Sequence, residues 1–174
     1  MTNRIILATI CLVLAFATNG ITAQEKGFTK QKMGNILYID LPDYMTKTIG
    51  LNDIAKIQYQ NTEKEAYLIM IEEDKEDIKL AGTEFTNAKD YYNFFIGNFG
   101  IDSIHVTSEE EVKTGKFPAY QAQVDGLVQG LNLFYLLTIV ESPTHFYNII
   151  SWTKMDNKQQ LINDFKKIAS SLKE

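Results

Sequence analysis

Two stretches of the sequence are apolar on both of the faces that a β-strand would present. Successive residues of a strand point to opposite faces, and in residues 66–72 and 131–140 both alternating sets are apolar. In the first stretch, Tyr67, Ile69 and Ile71 alternate with Leu68 and Met70. In the second stretch, Leu133, Tyr135, Leu137 and Ile139 alternate with Phe134, Leu136 and Val140. This pattern predicts central strands of a sheet that is covered on both sides.

The segments next to residues 131–140 predict antiparallel neighbours. The tight Ser142-Pro143-Thr144 connection has hairpin length and leads into a strand at residues 145–153. A further strand at residues 120–124 precedes residue 131 across a turn that contains two glycines, Gly126 and Gly130. These three strands therefore form a meander.

The first third of the chain predicts shorter strands. Residues 54–60 alternate apolar with polar side chains, which is typical of a strand at or near a sheet edge. Two more strands are expected at residues 28–33 and 36–41, and Pro42 ends the second because proline cannot donate a ladder hydrogen bond. Residues 43–53 hold glycine and polar residues and are predicted to be a loop.

Two amphipathic helices are predicted. The first spans residues 86–99, with Gly100 as a left-handed residue at its C-terminal end. Its apolar sector comprises Ala88, Tyr91, Tyr92, Phe95 and Phe99. The second begins at Asp156, which we expect to cap it, with Gln159 three residues later. Its apolar stripe comprises Leu161, Phe165, Ile168 and Leu172, which predicts that the helix faces the sheet.

The first 23 residues have the pattern of a secretory signal peptide. Arg4 precedes an apolar stretch at residues 5–17, and small and polar residues lead to a cleavage site at Ala23. We expect a single mature domain at residues 24–174, located outside the cytoplasm in the periplasm or secreted. No stable membrane insertion is expected after cleavage, since no later segment has about 18 uninterrupted apolar residues. The alternatives are a retained N-terminal anchor helix and lipid attachment at Cys11.

The composition of the predicted mature chain excludes several kinds of chemistry. Cys11 is the only cysteine, so the mature chain has no disulfide, thiolate nucleophile or cysteine metal ligand. Arg4 is the only arginine, and the mature chain has sixteen lysines against twenty-two acidic residues, a net charge of −6. Nucleic acid is not an expected partner, because phosphate backbones are bound by clustered basic side chains.

The order of the predicted elements resembles the PsbP-like superfamily. The first clear strand ends in Ile39-Asp40-Leu41-Pro42, a strand starts at Gly115-Lys116-Phe117-Pro118-Ala119-Tyr120, and the last helix closes on Ile168-Ala169-Ser170-Ser171-Leu172. The resemblance covers roughly residues 28–173 and implies an α+β fold with a mostly antiparallel central sheet of about six to eight strands and helices on its faces, an α/β/α sandwich. Members include an extrinsic photosystem II subunit, a Ran-binding nuclear-transport cofactor and exported bacterial proteins of unassigned role. No functional motif of the first two matches this chain.

The sequence predicts no catalytic, metal or cofactor site. It contains no GxSxG, GxGxxG or Walker motif, and its two histidines, His105 and His145, lack the spacing of a zinc site. A strand through His105 would share a face with Thr107, Glu109 and Glu111, so a surface His/Glu metal site is the alternative to a solvated acidic strand. The acidic run at residues 72–77 is predicted to be a solvated connection, with a calcium site as the alternative.

One aromatic residue lies outside the apolar sector of its helix. Phe94 falls among the polar residues Asp90, Asn93 and Asn98 of the first helix, which makes it a candidate contact residue. The leading hypothesis is therefore an exported, non-catalytic domain that binds an envelope or secreted protein. The alternatives are a carrier with an apolar pocket between sheet and helix, and a hydrolytic enzyme without a recognisable motif.

Overall fold

The computed structural model of the chain describes residues 27–33 and 37–173. The predicted signal peptide and its cleavage site at Ala23 lie outside these residues. The described elements in chain order are β1 (Phe28–Met33), β2 (Leu37–Pro42), β3 (Thr46–Lys47), β4 (Ile57–Asn61), β5 (Ala66–Asp74), α1 (Lys75–Leu80), α2 (Ala88–Gly97), β6 (Ser103–Thr114), β7 (Phe117–Val128), β8 (Leu131–Glu141), β9 (His145–Lys154), a 3₁₀ turn (Met155–Asn157) and α3 (Lys158–Ser170).

Seven of the strands form one antiparallel sheet in the order β3-β4-β5-β9-β8-β7-β6. The strands β6 to β9 follow one another as a meander, which contains the predicted three-strand meander. Strand β9 lies between β8 and β5, so the two strands with apolar side chains on both faces are neighbours of the central strand. The prediction of a mostly antiparallel sheet of six to eight strands is confirmed.

Each face of the sheet has its own apolar core. Helix α3 and the β1–β2 hairpin cover the first face, where Phe165, Ile168 and Leu172 are fully buried. Helices α1 and α2 cover the second face, where Tyr91 and Tyr92 pack against strands β7 to β9. The two alternating apolar sets of β5 and β8 divide between these two cores as predicted. The sandwich follows from this division, because an apolar sheet face needs a covering layer.

The β1–β2 hairpin forms a separate two-stranded sheet. It is joined to the C-terminal end of the chain by paired backbone hydrogen bonds between Tyr38 and Lys173, of 2.7 and 2.9 Å. The hydroxyl group of Ser171 also accepts a hydrogen bond from the backbone amide of Asp40 at 2.8 Å. The hairpin and α3 therefore cover the first face as one layer.

The structure corrects several predicted boundaries. Strand β4 begins at Ile57 rather than at residue 54, and Gly126 lies within β7, while the turn to β8 is made by Gln129 and Gly130 with positive φ. Gly100 has φ +71°, yet α2 already ends at Gly97 with Asn98 as its C-cap. The loop predicted at residues 43–53 contains the two-residue strand β3.

Two predictions about charged residues are wrong. Asp156 does not cap α3, because a 3₁₀ turn at residues 155–157 precedes the helix and its N-cap is Asn157. The acidic run at residues 72–77 is not a loop connection: it contains the end of β5 and the start of α1. The Asp74 carboxylate accepts hydrogen bonds from the amides of Glu76 and Asp77, and this cap begins the helix.

Candidate functional site

Helix α2 places Phe94 on its outer surface. Asn87 caps the helix by accepting a hydrogen bond from the amide of Asp90 at 2.9 Å, and the buried residues Tyr91 and Tyr92 fix which side faces the sheet. Phe94 then points away from the sheet and is 53% exposed. The sequence prediction that Phe94 lies off the buried sector therefore agrees with its position, and its role as a contact residue stays a prediction.

The Phe94 ring packs on Phe85, a residue that the sequence prediction did not single out. The two ring centroids are 5.2 Å apart, and Phe85 also makes an edge contact with Tyr91 at 5.1 Å. Phe85 lies two positions before the N-cap Asn87. An apolar residue just before a helix cap often packs against the first turns of that helix. The position of Phe85 in the sequence could therefore have indicated its contact with α2.

Phe94 is one end of a continuous chain of aromatic contacts on the second face. Successive ring centroids in this chain are 5.1 to 6.4 Å apart. The rings follow the order Tyr67, Trp152, Tyr135, Phe99, Phe95, Tyr91, Phe85 and Phe94. Such contacts hold planar side chains in fixed orientations. Phe94 is therefore supported by the core rather than by its own helix alone.

Both helices of the second face begin at the same carboxylate. Glu141, at the end of β8, accepts a hydrogen bond from the amide of Ala88 at 2.9 Å and from Lys75 Nζ at 2.7 Å. Ala88 is the first residue of α2 and Lys75 the first of α1. A carboxylate also interacts favourably with the positive end of a helix dipole. Glu141 therefore fixes the starts of α1 and α2 beside each other.

The connection between the two helices is held by further polar contacts. Lys79 Nζ lies 3.2 Å from the carboxylate of Glu84, and the carboxylate of Asp90 accepts a hydrogen bond from the amide of Thr86 at 3.0 Å. The acidic side chains of Glu76 and Asp77 are exposed at the start of α1. Within residues 27–33 and 37–173, neither of these two carboxylates forms an ion pair. We call these two carboxylates, together with those of Glu84 and Asp90, the acidic rim; they lie on α1, on α2 and on the connection that contains Phe85.

A partly buried polar cluster lies beneath α2. Asn148 Nδ2 donates to the hydroxyl group of Tyr91 at 2.8 Å and to the carboxylate of Glu73 at 3.3 Å. Burial raises the pKa of the Glu73 carboxyl, and the hydrogen bond from Asn148 offsets part of that rise. The cluster connects α2 to β5 and β9 through polar contacts, in addition to the aromatic ones.

The two histidines lie far apart in the sheet order. His105 is exposed on the edge strand β6. A β-bulge between Val106 and Ser108 shifts the pairing of the following β6 residues with β7 by one position. Val106 and Glu109 consequently pair opposite Val124 and Ala122, which share one face, so His105 points to the other face. The expectation that Glu109 and Glu111 share a face with His105 is wrong, because the bulge reverses the alternation.

His145 lies beside two carboxylates on the first face of the sheet. Its Nε2 atom is 3.5 Å from Glu72 and 3.5 Å from Asp74, while Nδ1 is 2.8 Å from the hydroxyl group of Thr144. The two carboxylate distances exceed those of a good hydrogen bond. In the part of the chain that the structure describes, no group of three or more His, Cys, Asp or Glu side chains has the arrangement needed to hold a metal ion.

Three surface cavities lie along the β6–β7 edge and the Glu141 corner. The largest of these three has a volume of about 540 Å³ and is lined by Lys89, Glu111, Tyr120 and Glu141 among others. The second, of about 510 Å³, shares Glu141 and Pro118 with it, and the third, of about 380 Å³, lies between β6 and α3. All three are open to solvent and include charged side chains, so none of them is the enclosed apolar pocket of a carrier.

Within the described residues, no helix has both the length and the apolar character needed to cross a membrane.

The comparisons with known proteins agree with the observed architecture. Cyanobacterial PsbP (CyanoP) from Synechocystis sp. PCC 6803 superposes with a TM-score of 0.62 at 15% identity, covering 84% of this chain and 91% of that one. LpqN, involved in cell envelope biogenesis of Mycobacterium tuberculosis, gives 0.60 at 11% identity with coverages of 84% and 89%. The Ran-binding protein Mog1p of Saccharomyces cerevisiae gives 0.59 at 8% identity, with coverages of 83% and 94%. No protein-family profile and no curated protein sequence matches the chain.

These likenesses define the structural class, an α/β/α sandwich on an antiparallel sheet. Within that class the chain has the PsbP-like fold that it shares with CyanoP and LpqN, as the sequence resemblance predicts. At this level of identity the likeness is one of fold, so any function must be argued from the residues of this chain.

Proposed function

We propose that the protein is an exported, non-catalytic accessory domain that binds another envelope or secreted protein, with Phe94 as a contact residue. The observation that carries this proposal is the Phe94 ring, 53% exposed and packed on Phe85 at the end of the aromatic chain. A rigid, half-exposed aromatic side chain offers apolar contact area at a low cost in conformational entropy. Aromatic anchors of this kind are enriched among the residues that dominate binding energy.

The relatives in fold support a binding role by analogy. One is a Ran-binding protein and another is involved in cell envelope biogenesis. The predicted signal peptide supports the envelope location. Catalysis is not part of the proposal, since no residue set with the roles of nucleophile, base and oxyanion donor was identified from the sequence.

The test is affinity capture from the native envelope with tagged wild-type protein and matched variants. Phe94→Asp should fold and lose the captured partner, because a carboxylate would be desolvated at the interface. Leu131→Asp is the control, since Leu131 is also 53% exposed but lies at the β7–β8 turn. Leu131→Asp and the His105→Ala/His145→Ala double variant should retain the partner.

Two outcomes would contradict the proposal. Unimpaired capture by Phe94→Asp would make Phe94 an ordinary exposed apolar residue. Loss of capture in the histidine double variant, with unchanged thermal stability, would instead indicate a function that needs His105 or His145.

A further inference from the structure

The aromatic pair Phe85 and Phe94 lies in an acidic part of the chain. Residues 72–94 contain seven acidic residues and three lysines, a net charge of −4, while the whole chain has a net charge of −5. This segment is therefore strongly acidic. Its outer surface combines an exposed aromatic ring with uncompensated carboxylates.

Two of the three lysines in this segment interact with groups other than its acidic residues. Lys75 Nζ is bound to Glu141 of β8, and Lys89 Nζ lies 5.4 Å from the ring centroid of Tyr120 in β7. Only Lys79 pairs within the segment, with the exposed carboxylate of Glu84. The exposed carboxylates of Glu76 and Asp77 are consequently left for a binding partner.

The acidic rim and the aromatic pair lie on the two helices of the second face and on the connection between them. The starts of α1 and α2 meet at Glu141, and Glu76 and Asp77 directly follow the first residue of α1. Phe94 lies six residues along α2 from Ala88, a rise of about 9 Å at about 1.5 Å per residue. Glu84 precedes Phe85 in the chain, and Asp90 lies one turn before Phe94.

We infer that this surface binds a basic amphipathic segment of a partner protein, a stretch rich in lysine or arginine that also presents apolar side chains. The inference rests on the proposed function and specifies the partner's chemistry. An apolar side chain of the partner packs on Phe94 and Phe85, while its cations meet Glu76, Asp77 and Glu84. Charge complementarity selects this occupant: an anionic lipid surface and a second copy of this acidic surface would both be repelled.

The direct probe is a fluorescent amphipathic peptide of leucine and lysine, about 14 residues or four helical turns long. Its control is the same peptide with glutamate in place of each lysine. We expect the lysine peptide to bind the purified protein at low ionic strength and the glutamate peptide not to bind. Binding should weaken as salt shortens the screening length below about 8 Å.

Matched variants separate the proposed site from general attraction to an acidic protein. Phe94→Asp should weaken the lysine peptide about tenfold or more, as loss of an aromatic anchor does. The neutralising triple Glu76→Gln/Asp77→Asn/Glu84→Gln should weaken it roughly fivefold, since rim charges each contribute modestly. The control triple Glu63→Gln/Glu110→Gln/Asp156→Asn removes the same charge from other exposed positions and should leave binding nearly unchanged.

The outcomes distinguish this inference from the proposed function. Equal weakening by the two triple variants would show non-specific electrostatics and overturn the inference. If partner capture from the envelope is lost with Phe94→Asp but kept with the neutralising triple, the partner is not basic and only the inference fails. Binding of anionic vesicles, or dimerisation lost with Phe94→Asp in sedimentation experiments, would replace the basic segment by a membrane or a second copy.

Discussion

The Glu141 carboxylate lies 2.9 Å from the backbone amide of Ala88 and thereby joins the end of β8 to the first residue of α2. The same carboxylate binds Lys75 Nζ, the first side chain of α1. Glu141 and Lys75 are both partly shielded, with side-chain exposures of 18% and 26%. One side chain of the sheet therefore positions both α1, which carries Glu76 and Asp77, and α2, which carries Phe94.

The first prediction is that Glu141→Ala lowers the free energy of unfolding by about 1–2 kcal/mol. The substitution removes the acceptor of one backbone amide and one ammonium group, and bonds to charged groups are the stronger kind. Glu141→Gln should cost less, because the amide oxygen still accepts from Ala88. Denaturant unfolding checks both, with Glu110→Ala as the control: its ion pair with Lys166 is long at 3.7 Å and exposed. A cost for Glu110→Ala equal to that for Glu141→Ala would contradict the prediction.

The second prediction concerns the docking of α3. Phe165 is fully buried, and Phe165→Ala should cost about 3–5 kcal/mol through lost apolar contact and the cavity left behind. Lys166 is the next residue, and its side chain is partly exposed. Lys166→Ala should therefore change the free energy of unfolding by less than about 0.5 kcal/mol. Thermal or denaturant unfolding measures the difference. Small and equal effects would show that α3 does not stabilise the sheet.

The third prediction is a pH dependence that comes from Glu73. Burial raises the pKa of this carboxyl above its value in the unfolded chain. The folded state therefore holds the proton more tightly, and its stability falls as the pH rises through the folded pKa. Glu73→Gln should be more stable than wild type at neutral pH, and this difference should vanish below a pH of about 4.

The Glu73 prediction is checked by unfolding both proteins across the acidic range. Glu76→Gln is the control, because it removes the same charge from an exposed position. A Glu73→Gln variant that is less stable than wild type at neutral pH would mean that the charged carboxylate stabilises the fold.

The fourth prediction is export with cleavage near Ala23. The sequence has a positive residue, an apolar stretch and a small residue before the site, and intact-mass measurement of exported protein should give a chain starting at Gln24 or within a few residues. Recovery of the full-length chain from the membrane fraction would show instead that the apolar stretch is retained.

The central part of the fold could be predicted because its signal is local. In β5 residues 66–71 are all apolar, and in β8 eight of the eleven residues are apolar. This pattern favours a central strand that is covered on both faces. The stripe of α3, with Phe165 fully buried, is equally local. The contacts that position α1 and α2 could not be predicted in this way. Glu141 lies 53 residues from Ala88, and nothing in the sequence near either residue indicates the bond.

The features that the sequence did not predict likewise lack a local sequence pattern. The bulge in β6 depends on how Val106 and Ser108 pair with β7, which no alternation pattern contains. Helix α1 begins in an acidic run that resembles a solvated loop, and only the geometry of the Asp74 cap makes it a helix. Phe94 was predicted to lie off the core sector, but its support by Phe85 depends on the path of the connection between the helices.

The bulge in β6 hinders edge-to-edge pairing of the sheet with a strand of another molecule. Strand β6 is the last strand of the sheet, and within the described residues it pairs with β7 alone. A second strand laid along its outer edge would match hydrogen bonds on one side of the step but lose the match on the other. Three consecutive glutamates, Glu109, Glu110 and Glu111, would repel an identical strand. The bulge and the glutamates of β6 therefore protect this sheet edge from the strand pairing that leads to fibre growth.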